Sequence, residues 1–144
     1  MQQAKEKQGI LFICIGNSCR SPMAEAICRH LAGDSVAVFS AGVAPVGEIA
    51  AGTREVLAQH GISAEGLRSK HTDEVPLEQV GLIVSLEFSY PVERVFGGEV
   101  PARCENWDIP DPVGGSSEDY ERVLAILQEK VTALLKREGL FPSG

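Results

Sequence analysis

The sequence predicts a three-layer α/β domain: a four-stranded parallel sheet flanked by helices. Short apolar runs alternate with segments whose apolar residues recur at 3.6-residue spacing. Each strand-like run is followed by a helical pattern, the order that gives parallel strands and right-handed crossovers. The 144 residues suffice for one domain with a substantial core. Met1 to Lys7 is polar and reads as a flexible tail.

Gly9 to Cys14 is a buried strand, and Pro22 to Leu31 a helix with Met23, Ala24, Ile27, Cys28 and Leu31 on its apolar stripe. Val36 to Ser40 is the second strand, closed at Gly42. Ile49 to His60 is the second helix, with Gly61 at its end. Thr72-Asp73-Glu74 starts a short helix that runs to about Gln79. Leu82 to Leu86 is a central strand, Pro91 to Phe96 a short helix, and Val100 to Arg103 an outer strand. From Ser117 to Lys136, Tyr120, Val123, Leu124, Leu127, Val131, Leu134 and Leu135 keep one helical face, which Gly139 and Pro142 end.

A formal charge of -7 argues against nucleic-acid or acidic-membrane partners. There is no leader-like segment and no apolar run of membrane-spanning length, so a cytoplasmic protein is expected. Cys14, Cys19, Cys28 and Cys104 lack paired zinc spacing, and no two of the three histidines form a helical pair, so neither a metal nor another cofactor is expected. Cys28 falls on the apolar side of the first helix and is a packing residue.

Between the first strand and first helix lies Cys14-Ile15-Gly16-Asn17-Ser18-Cys19-Arg20-Ser21. Strand, short polar loop and helix N-terminus form an anion-binding context. A loop curled round a tetrahedral oxyanion can point the Cys14 sulfur at the central atom. The Arg20 guanidinium then closes over two oxygens. Cys19 shares that loop and can pair reversibly with Cys14. In a parallel sheet ligands sit beyond the C-terminal strand ends; Cys14 lies there, and Asp108-Ile109-Pro110-Asp111-Pro112 follows the outer strand to the same edge. A nucleotide P-loop is excluded, since no Lys-Ser or Lys-Thr follows the glycine.

These segments resemble the low-molecular-weight protein tyrosine phosphatases, whose fold is shared by the thioredoxin-coupled arsenate reductases. The resemblance rests on the whole octet Cys14 to Ser21, on Pro22, Ala24 and Glu25 behind it, on Ser40-Ala41-Gly42 and on Asp111-Pro112. It implies the phosphotyrosine phosphatase I-like fold, a flavodoxin-like arrangement, and two-step hydrolysis of a phosphotyrosine protein or small phosphomonoester. Cys14 would attack phosphorus, and Arg20 with the amides of Ile15, Gly16, Asn17, Ser18 and Cys19 would hold the oxygens, as they would inorganic phosphate. Ser21 would donate to the sulfur and Asn17 would brace the loop. Asp111, rather than Asp108, would be the acid and then the base.

The chain also departs from that family. The acid loop there is usually followed by tyrosines that wall the aryl groove, whereas Val113-Gly114 follows here. Ile15 with Phe88, Tyr90 or Trp107 are the candidates to line the groove instead. Arsenate reduction is the alternative. It needs the same cradle plus further thiols, and Ser85 to Pro91, where the reductases carry a cysteine pair, has none, so an external thiol carrier would be required. A non-catalytic phosphoprotein-binding module is disfavoured by the presence of Cys14, Arg20 and Asp111 together.

Overall fold

The computed structural model describes residues 9–87, 89–96 and 102–141. Four parallel strands, β1 (Gly9–Cys14), β2 (Val38–Gly42), β3 (Val80–Ser85) and β4 (Arg103–Asn106), form one sheet in the order β2-β1-β3-β4. The helices are α1 (Arg20–Ala32), α2 (Ala51–Gln59), α3 (Val92–Phe96) and α4 (Ser117–Glu138). The expected three-layer arrangement is what the chain adopts.

Alternation along β1 sorts the core. Ile10, Phe12 and Cys14 face α1, α2 and α4 and pack with Met23, Ile27, Leu57, Leu124 and Leu127. Leu11 and Ile13 face the other way, onto Val75, Ile83 and Val92. β1 is buried at every position, which is why it reads as one continuous apolar run.

Several boundaries differ from the sequence expectations. The segment 72–79 is not one helix but two single 3-10 turns, Thr72–Glu74 and Leu77–Gln79. Pro76 stands between them, has no N–H and holds its predecessor out of the helical region. β2 begins two residues late and runs through Gly42, because its register with β1 pairs Ile10 with Val38 and Cys14 with Gly42. β4 is Arg103–Asn106 rather than Val100–Arg103; Val100 lies outside the described residues, and the pairing with β3 starts at Leu82 opposite Arg103. α1 opens at Arg20, with Cys19 as its N-cap, and Ser21 is inside the first turn.

The C-terminal ends of all four strands meet at one edge. Leu86 N–H donates to the Ile13 carbonyl (2.8 Å) and Trp107 N–H to the Ser85 carbonyl (2.7 Å). These two bonds carry the chain past β3 and β4 to the mouth of the Cys14 loop.

Candidate active site

The loop after β1 is moulded from outside through its carbonyls. Val43, Ala44, Val46 and Ala50 donate their N–H groups to the carbonyls of Cys14 (3.3 Å), Ile15 (2.9 Å), Gly16 (3.1 Å) and Ser18 (3.1 Å). Met23 N–H takes the Cys19 carbonyl at 3.0 Å. The amides of Ile15 to Cys19 have no protein acceptor among the described residues. A turn whose carbonyls at Cys14, Ile15, Gly16, Ser18 and Cys19 are engaged on the outside offers its N–H groups to the inside, the polarity an oxyanion needs.

Gly42 makes that clasp possible. A Cβ there would sit 2.5 Å from the Ile15 carbonyl oxygen and 2.9 Å from the Asn17 nitrogen. Asn17 turns the loop with φ of 48°, a left-handed conformation that asparagine tolerates better than most residues.

The Asn17 side chain then ties the loop down. Its Oδ1 accepts from Lys70 N–H (2.8 Å), and its Nδ2 donates to Ser21 Oγ (2.8 Å) and Ser40 Oγ (3.1 Å). Ser21 Oγ lies 2.9 Å from Cys14 Sγ. Because Asn17 donates to that oxygen, the Ser21 hydroxyl hydrogen is free for the sulfur; the Ala41 carbonyl, at 3.5 Å, is the weaker acceptor. Ser40 passes its own hydrogen to Glu25 Oε1, and Arg29 pairs with the other carboxylate oxygen. Charge at the surface is thus linked to the sulfur through a fully satisfied buried network.

Arg20 is buried and held on three sides. Its Nη1 donates to the carbonyls of Ile109 (2.9 Å) and Leu86 (3.2 Å), and its Nη2 to Glu87 Oε1 (2.7 Å). Asp111 Oδ2 lies 3.6 Å from the same Nη2. Burial opposes the charged form of Glu87, but hydrogen bonds from Ser89 and Arg20 outweigh it and hold the carboxyl below its ordinary range. Asp111 is half exposed, and its Oδ1 accepts from Val113 N–H in a local turn (3.1 Å).

A cavity of about 440 Å³ opens above the loop. Cys14, Ile15, Gly16, Ser18, Cys19 and Arg20 form its floor, and Asp111 stands at the rim. Val46, Val113 and Tyr120 supply apolar wall, and Glu48 a second carboxylate. The Ser18 carbonyl is bonded by Ala50 and Thr53, while its hydroxyl is left without a protein partner among the described residues. Asp108 is exposed and does not line the cavity.

The expected residues Cys14 to Ser21 and Asp111 therefore converge. Of the described residues expected to line the groove, Ile15 does so, and Tyr90 and Trp107 do not. Trp107 packs on Phe12 (centroids 6.1 Å apart) and donates Nε1–H to Glu105, and Tyr90 lies under the Arg94 guanidinium. Phe88 lies outside the described residues. The aromatic side chain that does line the cavity is Tyr120 of α4, whose helical spacing reads as ordinary core. Its hydroxyl reaches Cys19 Sγ at 3.5 Å. Glu87, just past the end of β3, is a further residue that sequence reasoning missed, and no local motif marks it; Ser40 of β2 enters the sequence reading only as part of the Ser40-Ala41-Gly42 turn, without its role in the network.

Cys28 is buried in the core under α1, where burial pushes its thiol up to about 12. Cys104 sits on β4 and packs on the opposite side of the sheet. No group of three or more possible metal ligands occurs among the described residues, and no described helix is long and apolar enough to cross a membrane.

A family model described as low molecular weight phosphotyrosine protein phosphatase matches residues 9–139. The chain is 32% identical over 143 residues to a protein-arginine-phosphatase of Bacillus subtilis, covering 89% of this chain and 95% of that protein. It is 33% identical over 139 residues to a probable low molecular weight protein-tyrosine-phosphatase, EpsP, of Ralstonia solanacearum, with 89% and 94% covered. Among solved structures, an arsenate reductase from Archaeoglobus fulgidus superposes with a TM-score of 0.76 at 31% identity, over 88% of this chain and 98% of that one.

Proposed function

Because the chain belongs to the low molecular weight phosphotyrosine protein phosphatase family, we propose that it hydrolyses phosphotyrosine or other aryl phosphomonoesters through a cysteinyl-phosphate on Cys14. The observation that carries this is the placement of Cys14 Sγ, with Ser21 Oγ at 2.9 Å, at the base of a loop whose amides are unspent, opposite Asp111 at the rim. In the first step the Cys14 sulfur forms a bond to phosphorus as the ester P–O bond breaks, and Asp111 gives its proton to the leaving oxygen. In the second step Asp111 takes a proton from water, the water oxygen bonds to phosphorus, and the S–P bond breaks to free phosphate. Arg20 and the loop amides stabilise the charge that the phosphoryl group carries throughout. Ile15, Val46, Val113 and Tyr120 give the cavity the apolar sides that a phenyl ring needs.

A second reading, phosphoarginine, is favoured by the polar part of the same cavity. The loop after Asp111-Pro112 brings no aromatic wall, while Glu48, Asp111 and the unpartnered Ser18 hydroxyl suit a guanidinium group. One relative bears the name protein-arginine-phosphatase. Arsenate reduction is less well supported: beside Cys14 the cavity holds only the Cys19 thiol, Cys28 is sealed in the core and Cys104 is across the sheet, so any relay beyond a Cys14–Cys19 pair would have to come from outside.

The test is turnover of p-nitrophenyl phosphate, phosphotyrosine and phosphoarginine from pH 5 to 8 by the reduced protein. Cys14→Ser abolishes turnover, and Asp111→Ala lowers kcat by about 10²-fold or more on aryl esters. No turnover of any of the three by wild type sinks the phosphatase reading. Turnover of phosphoarginine alone replaces the first substrate with the second.

A further inference from the structure

Tyr120 borders two cavities. Beyond the one above the Cys14 loop is a second hollow of about 410 Å³ between α2 and the turn into α4. Gly52, Glu55 and Gln59 border it from α2, and Gly114, Gly115 and Ser117 from the turn. Gly114 and Tyr120 border both hollows, so the two open on either side of one shared partition.

Two glycines allow the close packing that borders this second space, and a third leaves its side open. A Cβ on Gly52 would sit 2.5 Å from the Tyr120 ring, and one on Gly115 would collide with the Asp119 carboxylate. Gly114, at φ of 77°, has nothing within 4 Å of where its Cβ would be. The lining is polar. Asp119 is occupied, by Arg122 and by the Ser116 cap. Glu55 and Glu48 have no cationic partner within 4 Å among the described residues. Burial and the contact with Cys19 push the Tyr120 phenol up, and the charges of Asp111 and Glu55 add to it, which places Glu55 within electrostatic reach of the partition.

A polypeptide whose phosphorylated side chain enters the first cavity must lay its neighbouring residue over the rim. On the side of Gly114 and Tyr120, the rim falls into the second hollow. Resting on the phosphatase reading above, we propose that this hollow is a subsite for a lysine or arginine side chain next to the phosphorylated residue. Glu55 meets its charge, and Gln59 and Ser117 supply neutral acceptors. A partly exposed ion pair of this kind gives a preference of about 3- to 5-fold rather than an absolute requirement.

Three phosphotyrosine peptides that differ only in carrying Lys, Ala or Glu on both sides of the phosphotyrosine test it. Binding is measured calorimetrically to Cys14→Ser, alone and combined with Glu55→Lys, at low ionic strength. The expected order is Lys over Ala over Glu, with the Lys preference lost or reversed by Glu55→Lys while the Ala peptide binds as before. Equal affinity for the three, no binding of any, or a Lys preference that survives Glu55→Lys overturns the subsite. Wild-type turnover of p-nitrophenyl phosphate, which has no flanking residue, reports separately on the phosphatase reading.

Discussion

Removing the Asn17 carboxamide disconnects three groups at once: the buried Ser21 and Ser40 hydroxyls and the part-buried Lys70 amide. Asn17→Ala should cost about 3 kcal/mol in urea unfolding, from unmet polar groups and a left-handed backbone together. Asn17→Gly relieves only the backbone part, so it should recover about 1 kcal/mol of that loss. Ser21→Ala behaves differently. Asn17 Nδ2 keeps Ser40 as its acceptor, so stability changes little, while kcat/KM falls about 10-fold because the sulfur loses its donor. Glu87→Gln separates charge from position: without the carboxylate beside Arg20, phosphate should inhibit more tightly, by about 3-fold, while kcat falls. The octet was legible because its chemistry lies within contiguous residues. Glu87 and Tyr120 were not, because only the closing of the fold brings them to Arg20 and Cys19.

The elements that differ most from the sequence reading are those recruited to hold the loop. α2 starts at Ala51 rather than Ile49 because the segment before it is held to the loop, with Val43, Ala44, Val46 and Ala50 donating their amides to the loop carbonyls. α1 starts at Arg20 because the serine that local rules assign to capping serves the sulfur, leaving Cys19 as a cap without a side-chain bond. Periodicity located β1, β2, β3, α1, α2 and α4, since burial imposes it, but it read 72–79 as one helix and set β4 three residues early. It could not reveal which turns are occupied with another segment. Gly42 carries the matching prediction. Gly42→Ala should lower kcat at least about 10-fold by displacing the Ile15 carbonyl, with little effect on the sheet, where its pairing with Cys14 is a backbone matter. Activity measured beside thermal melting separates the two.

For the molecule as a whole, ionisation sets a stability window. Glu87 and Glu138 are held below their ordinary value of 4.5, Glu138 chiefly by its hydrogen bond from Arg103. Their contribution is complete above 4.5 and is lost as pH falls through the lower folded values. Cys28 works in the other direction. Its thiol rises from 9.0 to about 12, so its contribution is complete below 9.0 and drains away as pH climbs towards 12. Urea midpoints should therefore be highest near pH 7 and lower at both pH 4 and pH 10. Cys28→Ala should flatten the alkaline fall.

The inward-facing amides of the loop have one more effect. Nothing in them distinguishes a phosphoryl group still attached to substrate from one already released. On the proposed reaction, the phosphate product should consequently bind the resting protein and favour the folded chain by mass action. Each tenfold increase in free phosphate above its dissociation constant should add about 1.4 kcal/mol to unfolding stability. The same increase raises the apparent KM in proportion, so in a phosphate-rich solution the protein becomes harder to unfold and slower at low substrate.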